Sequence, residues 1–172
     1  MASASDLGSA PVPALRSDDH VRGAPGDPLV VVYGDFTCPR CAVAWERLRD
    51  APVRVAFRHF ALRAKHPRAV ALAHAAEAAA AQGAFWPMAA SLWGGQGRID
   101  DPHLWERCAE LGLDVDRFEA DRRSTAVADR VRRDVHEGLR AGVAATPTLF
   151  AGGDAAGRAG PPDAAFLAAL AI

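Results

Sequence analysis

The sequence predicts an α/β domain in which a βαβ unit, an all-helical insertion and a closing ββα unit follow one another. Three observations predict it. Leu29-Val30-Val31-Val32-Tyr33 is an unbroken apolar, β-branched run, as a central strand covered on both faces requires. Val53, Val55 and Phe57 alternate with Arg54, Ala56 and Arg58, which is the period-two pattern of a second strand. From Pro67 to Gly142 helix formers dominate, and Thr148 to Ala151 then reads as strand again.

Residues 1–25 are rich in Ser, Ala, Pro and Gly and are expected to form a flexible lead-in to one folded domain over residues 26–172. After the first strand, Gly34 to Thr37 turn the chain. Pro39 suits the first position of a helix, where its missing N–H costs nothing, and the helix is expected to run to about Asp50. The insertion covers about residues 67–142. Ala69 to Gln82 forms a helix that Gly83 ends, and Asp101 caps another with Leu104, Cys108 and Leu111 on its apolar stripe. A short helix around Phe118 follows Asp114. Ser124 opens the last helix of the block, with Val127, Val131, Val135 and Leu139 on one face. Gly152-Gly153 turns the chain into a short return strand near Arg158, and Asp163 caps a final helix over Ala164 to Ala171.

Composition excludes several function classes. Net charge is −1, and the 20 basic residues are 19 arginines and Lys65, so no nucleic-acid partner is indicated. Arg130, Arg132 and Arg133 cluster, but Asp129 and Asp134 flank them, which describes a solvated helix face. No run approaches the ~18 apolar residues of a membrane span. Residues 1–28 hold no apolar core of a secretory signal, so a cytoplasmic location is expected. Three cysteines are an odd number and do not make a disulfide scaffold.

The chemistry sits in Cys38-Pro39-Arg40-Cys41, directly behind the apolar strand. Two cysteines at this spacing on a helix start differ in environment. The first meets the positive end of the helix dipole, and the second lies a turn inside. An unperturbed thiol with a pKa of ~8.5 is only a few per cent ionised at pH 7, so an attacking cysteine needs help. Cys38 has three sources of it: the helix N-terminus, the neighbouring Arg40, and backbone N–H groups aimed at its sulfur. The same spacing also fits half of a zinc site. His59, His66, His74 and Cys108 show no ligand spacing to complete one, so no metal is expected. Cys108 reads as a core residue, as do Trp86, Trp93 and Trp105, which alternatively wall a groove. Val31 and Tyr33 are expected beneath the active site. Thr146-Pro147-Thr148 far downstream is a second element, although a proline at a strand start is by itself an ordinary turn residue.

Tyr33-Gly34-Asp35-Phe36-Thr37-Cys38-Pro39-Arg40-Cys41 resembles the active-site segment of DsbA-like thiol–disulfide oxidoreductases of the thioredoxin superfamily. Arg58-His59-Phe60-Ala61-Leu62, His66-Pro67-Arg68-Ala69, Gln82-Gly83-Ala84-Phe85-Trp86 and Gly142-Val143-Ala144-Ala145-Thr146-Pro147-Thr148 are similar to that family in the same order. Ala61 stands where the family usually carries proline. Asp19-His20-Val21-Arg22-Gly23 further resembles the lead-in to thioredoxin-like domains appended to bacterial sodium–proton antiporters.

The resemblance implies a thioredoxin fold with an all-helical insertion between its βαβ and ββα halves. It implies Cys38 as nucleophile and Cys41 as resolving thiol, supported by Pro39 and Arg40. Thr146 and Pro147 would then bind substrate, with a cis bond between them lying against the cysteines. No cofactor is implied beyond the Cys38–Cys41 disulfide, with glutathione a candidate co-substrate. The partners implied are protein or low-molecular-weight thiols and disulfides, together with a separate redox partner. Two other functions fit the same residues: a non-catalytic redox sensor or metal-binding module, and a glutathione-dependent isomerase of the kappa-transferase type.

Overall fold

Val30, Val31 and Tyr33 lie wholly buried in the middle of the sheet, as an apolar strand with no polar alternation requires. The computed structural model describes residues 13–152 and 157–170. Within them the chain forms β1 (His20–Arg22), β2 (Leu29–Gly34), α1 (Pro39–Leu48), β3 (Arg54–His59), α2 (Ala69–Ala80), α3 (Phe85–Gly94), α4 (Asp101–Glu110), α5 (Val115–Arg122), α6 (Thr125–Arg140), β4 (Thr148–Ala151), β5 (Arg158–Ala159) and α7 (Ala164–Leu170). The sheet order is β1-β3-β2-β4-β5, with β2 and β3 parallel and the other pairs antiparallel. This is a thioredoxin fold with five helices between its two halves.

Alternation along β2 divides the core. Val30 and Val32 face one side with Cys41, Trp45 and Leu48 of α1, the insertion helices and Phe166 of α7. Val31 and Tyr33 face the other, with Phe60, Val143 and Phe150, and Val135 of α6 packs there. Val31 and Tyr33 therefore do not lie beneath the cysteines. Successive strand residues point to opposite faces, and Val32 with Phe57 takes that place.

Three further expectations need correction. Residues 13–25 are not a loose lead-in: His20, Val21 and Arg22 pair with Phe57, Ala56 and Val55 as an edge strand. Arg58 explains this in part. It is 2 % exposed, and Asp19, wholly buried at its side chain, meets it at 2.7 Å. A buried guanidinium needs a carboxylate, and the N-terminal segment delivers it. Residues 1–12 lie outside the described residues. Asp101 does not cap α4. Asp100 occupies the cap without a side-chain bond, and Asp101 instead binds Arg68 and Arg122. Leu139 is 55 % exposed, because the buried face of α6 runs through Val131, Asp134 and Gly138. A Cβ at Gly138 would come within 2.8 Å of the Phe60 ring, so glycine allows this close approach. Ser124, Asp114 and Asp163 do cap their helices, accepting from the N–H groups of Val127, Arg117 and Phe166.

Candidate active site

Cys38 occupies the N-cap of α1 in extended conformation, with Pro39 at the first helical position and no side-chain cap bond. Its thiol is thus not spent on capping and sits at the positive end of the helix. Cys38 is half-buried, whereas Cys41, one turn on, is only 3 % exposed. Gly34 makes room for the Phe57 ring beside that second thiol: a Cβ there would strike the ring at 2.7 Å, with the Cys41 sulfur in ordinary contact at 3.5 Å. Behind Cys41 lie Trp45, Trp86 and Trp93, with Trp45 stacked on the other two at 5.6 and 5.3 Å. Trp105 is 42 % exposed and belongs to neither core nor groove wall.

The two thiols are electrostatically unlike. The polar attraction of the Cys41 thiol is the largest influence on Cys38, joined by that of Thr146 and of the nearby backbone N–H groups of Cys41 and Arg40. Together they outweigh desolvation and bring the Cys38 pKa down to about 5. The thiolate of Cys38, and then burial, push the Cys41 thiol far above the ordinary range. Arg40 contributes through its backbone N–H, while its guanidinium packs against Gly160. That differs from a simple charge effect of a basic residue inside the motif.

The loop before Cys38 is held from both ends. The Asp35 carboxylate accepts the Thr37 N–H and hydroxyl, both at 2.8 Å, which forms a local turn. The Asp35 N–H donates to the Cys41 sulfur at 3.4 Å. From the insertion, Trp93 Nε1 donates to the Asp35 carbonyl at 3.4 Å, and Gln96 Nε2 donates to the carbonyls of Phe36 and Cys38 at 2.8 and 3.0 Å. Sequence reasoning missed Gln96 and Asp35. Across the cleft the Thr146–Pro147 peptide bond is cis, and the Cys38 thiol donates to the Thr146 carbonyl at 3.4 Å. The Thr148 hydroxyl on the Ala145 carbonyl and the Gly160 N–H on the Pro147 carbonyl, both at 2.7 Å, brace this second loop. The structure thus gathers Cys38, Cys41, Pro39, Thr146 and Pro147 at one place. A cavity of about 290 Å³ opens beside Cys38, lined also by Phe60, Leu62, Lys65, His66 and Thr146. Another, of about 370 Å³, lies between α3 and α4 away from both cysteines, where Arg107 spends its N–H groups on four backbone carbonyls.

Of the candidate histidines, His66 reaches the cavity and His59 does not. His59 and His20 each place Nε2 2.7 Å from one buried oxygen of Glu77. Among the described residues these three are the one grouping able to offer a cation three ligand atoms. The Arg130 guanidinium already lies 2.8 Å from the same oxygen, so a cation there would meet a positive charge. The cluster therefore fits an ion-pair network, and it holds the Glu77 pKa well below the carboxylate range against the cost of burial. Cys108 is fully buried, and burial raises its pKa to about 11, as expected of a core thiol.

A model of the DSBA-like thioredoxin domain matches residues 64–169, more than half of the chain. The chain belongs to the DSBA-like thioredoxin domain family. The matched stretch holds Thr146 and Pro147, and the two cysteines lie upstream of it. This DSBA-like domain has the fold of a thioredoxin-like oxidoreductase from Silicibacter pomeroyi DSS-3, with a TM-score of 0.78, 23 % identity and 91 % of each chain covered. It also has the fold of alpha-DsbA1 from Wolbachia pipientis, with a TM-score of 0.76, 18 % identity and coverage of 91 % and 92 %. Among curated proteins it is 41 % identical over 166 residues to Na(+)/H(+) antiporter NhaA 1 of Mycolicibacterium vanbaalenii, and 42 % identical over 142 residues to NhaA of Herminiimonas arsenicoxydans. Those stretches are 90 % and 78 % of this chain but 26 % and 22 % of the relatives, so the DSBA-like domain spans about a quarter of their length. None of its described helices is long and apolar enough to cross a membrane.

Proposed function

We propose that this domain is a thiol–disulfide oxidoreductase with Cys38 as nucleophile and Cys41 as resolving thiol. One observation carries the reading: two thiols on one helix start, the outer half-buried and facing the Thr146 carbonyl, the inner 3 % exposed. In the oxidising direction a substrate thiolate attacks Cys38 of the Cys38–Cys41 disulfide, and Cys41 leaves and takes a proton. The substrate's second thiolate then attacks its own mixed-disulfide sulfur and expels Cys38. Two electrons pass to the domain and the disulfide passes to the substrate. Cys38 is the good leaving group in that second step, since its thiolate is stabilised, and this favours the oxidant direction.

Pro39 starts the helix, and Thr146 offers a backbone edge beside Cys38 on which an extended substrate can pair. The reading is tested by the reduction potential of the Cys38/Cys41 pair together with two assays, oxidative refolding of reduced ribonuclease and reduction of insulin. Turnover in either supports an exchange enzyme, and the potential fixes its direction. A disulfide that forms but turns over neither substrate would instead identify a sensor, and a stable 1:1 metal complex a binding module. Conjugation of glutathione without disulfide turnover would identify a kappa-type transferase.

The antiporter relatives favour one class of partner, a sodium–proton antiporter. A Cys41→Ser variant that traps such a protein as a mixed disulfide would support this. Trapping only soluble proteins would overturn it.

A further inference from the structure

The cavity beside Cys38 has two unlike walls. Phe60, Leu62 and Ala144 make one apolar. The other carries Lys65, the single lysine of the chain, exposed at the rim. Several basic side chains elsewhere are engaged: Arg16, Arg58, Arg68, Arg122 and Arg130 each face a carboxylate. Lys65 makes no ion pair among the described residues. Its loop is fixed, since the N–H groups of Lys65 and His66 both donate to the Leu62 carbonyl, at 2.9 and 3.3 Å. His66 accepts the Arg68 N–H at Nδ1 and so presents Nε2 as its remaining polar atom. Among the described residues the one carboxylate lining the cavity is Asp35, which is 5 % exposed and already bound by both donors of Thr37. An incoming anion therefore meets an unpaired ammonium before it meets a buried carboxylate.

We propose that this cavity takes low-molecular-weight disulfides bearing a carboxylate a few bonds from sulfur, with Lys65 binding the carboxylate. The proposal rests on the exchange reading above and names the oxidant that would regenerate the disulfide. The volume of about 290 Å³ is near the ~300 Å³ lower end of small-molecule sites, which suits such a fragment. The step balances as follows. The Cys38 thiolate attacks one sulfur, the S–S bond breaks, and half of the molecule leaves as a thiolate. That thiolate takes up the proton lost by Cys41. The Cys41 thiolate then attacks the Cys38 sulfur and expels the second half, which takes a proton from solvent. The dithiol loses two electrons, and the small disulfide becomes two thiols.

The test uses two disulfides matched in length, 3,3'-dithiodipropionate with carboxylates and bis(3-hydroxypropyl) disulfide without charge. Their second-order rate constants with the reduced full chain give a ratio, and only changes in that ratio are read, so leaving-group differences cancel. Lys65→Ala is expected to lower the ratio about two- to fivefold, the size of one exposed ion pair, and Lys65→Glu to lower it further. Arg132→Ala removes an equal charge from an exposed pair on α6 and is expected to preserve it. Raising salt to about 1 M should shrink the wild-type ratio. Equal slowing of both disulfides by Lys65→Ala would overturn the proposal, since Lys65 would then act through Cys38 itself. So would a ratio that ignores all three variants. If the reduced chain reacts with neither disulfide, the exchange reading falls, and this proposal with it.

Discussion

Gln96 Nε2 donates to the carbonyl of Cys38 at 3.0 Å, across 58 residues of sequence, while it also donates to the carbonyl of Phe36 at 2.8 Å. One carboxamide from the end of the α3 segment thereby holds both sides of the turn that presents Cys38. The insertion thus helps to set the geometry of the thiol as well as covering the sheet.

Removing that carboxamide should be felt at Cys38. Gln96→Ala is expected to cost about 1–3 kcal/mol for two hydrogen bonds, and to slacken the loop that aims the Arg40 and Cys41 N–H groups. Thiolate absorbance should then titrate above the value of about 5 set by the native arrangement. A native titration curve and native stability in Gln96→Ala would show that the contact positions nothing.

Cys38 and Cys41 should separate cleanly in alkylation. At pH 6–7 iodoacetamide is expected to label Cys38 and spare Cys41, since one thiol is ionised there and the other is buried and protonated. Mass spectrometry of the peptide over residues 38–41 reads the result, and preferential modification of Cys41 would reverse the assignment. Cys38→Ser is expected to abolish exchange, and Cys41→Ser to accumulate mixed disulfides.

The reduced domain should gain stability with rising pH. The folded pKa of Cys38 is about 5, against about 8.5 when unfolded, so below pH ~5 the thiolate contributes nothing. Its contribution grows as pH rises through 5 and is complete above ~8.5. Denaturant midpoints of the reduced protein should therefore climb across this window, and Cys38→Ser should flatten the climb. An equal slope in the variant would locate the effect elsewhere.

Asp19 is the carboxylate on which Arg58 depends, held at a pKa of about 2 by that guanidinium and by Arg16 against desolvation. Asp19→Ala leaves a buried positive charge without its partner and is expected to cost about 3–5 kcal/mol. Chemical denaturation measures this, and a loss below about 1 kcal/mol would show that Tyr33 and the Ala14 carbonyl suffice for Arg58.

The parts of the site legible in the sequence are those that local chemistry dictates. A β-branched run, a proline at a helix start and two cysteines at fixed spacing each state their geometry within a few residues, and Cys38, Cys41 and Pro39 stand where that geometry puts them. β1 was not legible, because three residues are too few to show a period and its pairing answers to β3. Gln96 and Glu77 carry no local signal at all: their partners lie far away in sequence and appear only when the helices have packed. The exposed Leu139 shows the opposite failure. Its spacing fits the apolar stripe, but Gly138 beside it is what lets α6 close on the sheet.

Glu77 also bears on how the chain folds. Its buried oxygen is approached by His20 from the N-terminal strand, His59 from the third strand and Arg130 from α6. These segments are distant in sequence, so the carboxylate is fully compensated only once all three have docked. Contacts completed only after all three segments have docked add to the native state more than to the transition state, and such contacts mainly govern how slowly a structure comes apart rather than how quickly it assembles. The Glu77 cluster is therefore a clasp on the unfolding route. Its loss should shorten the lifetime of the native state more than it retards folding.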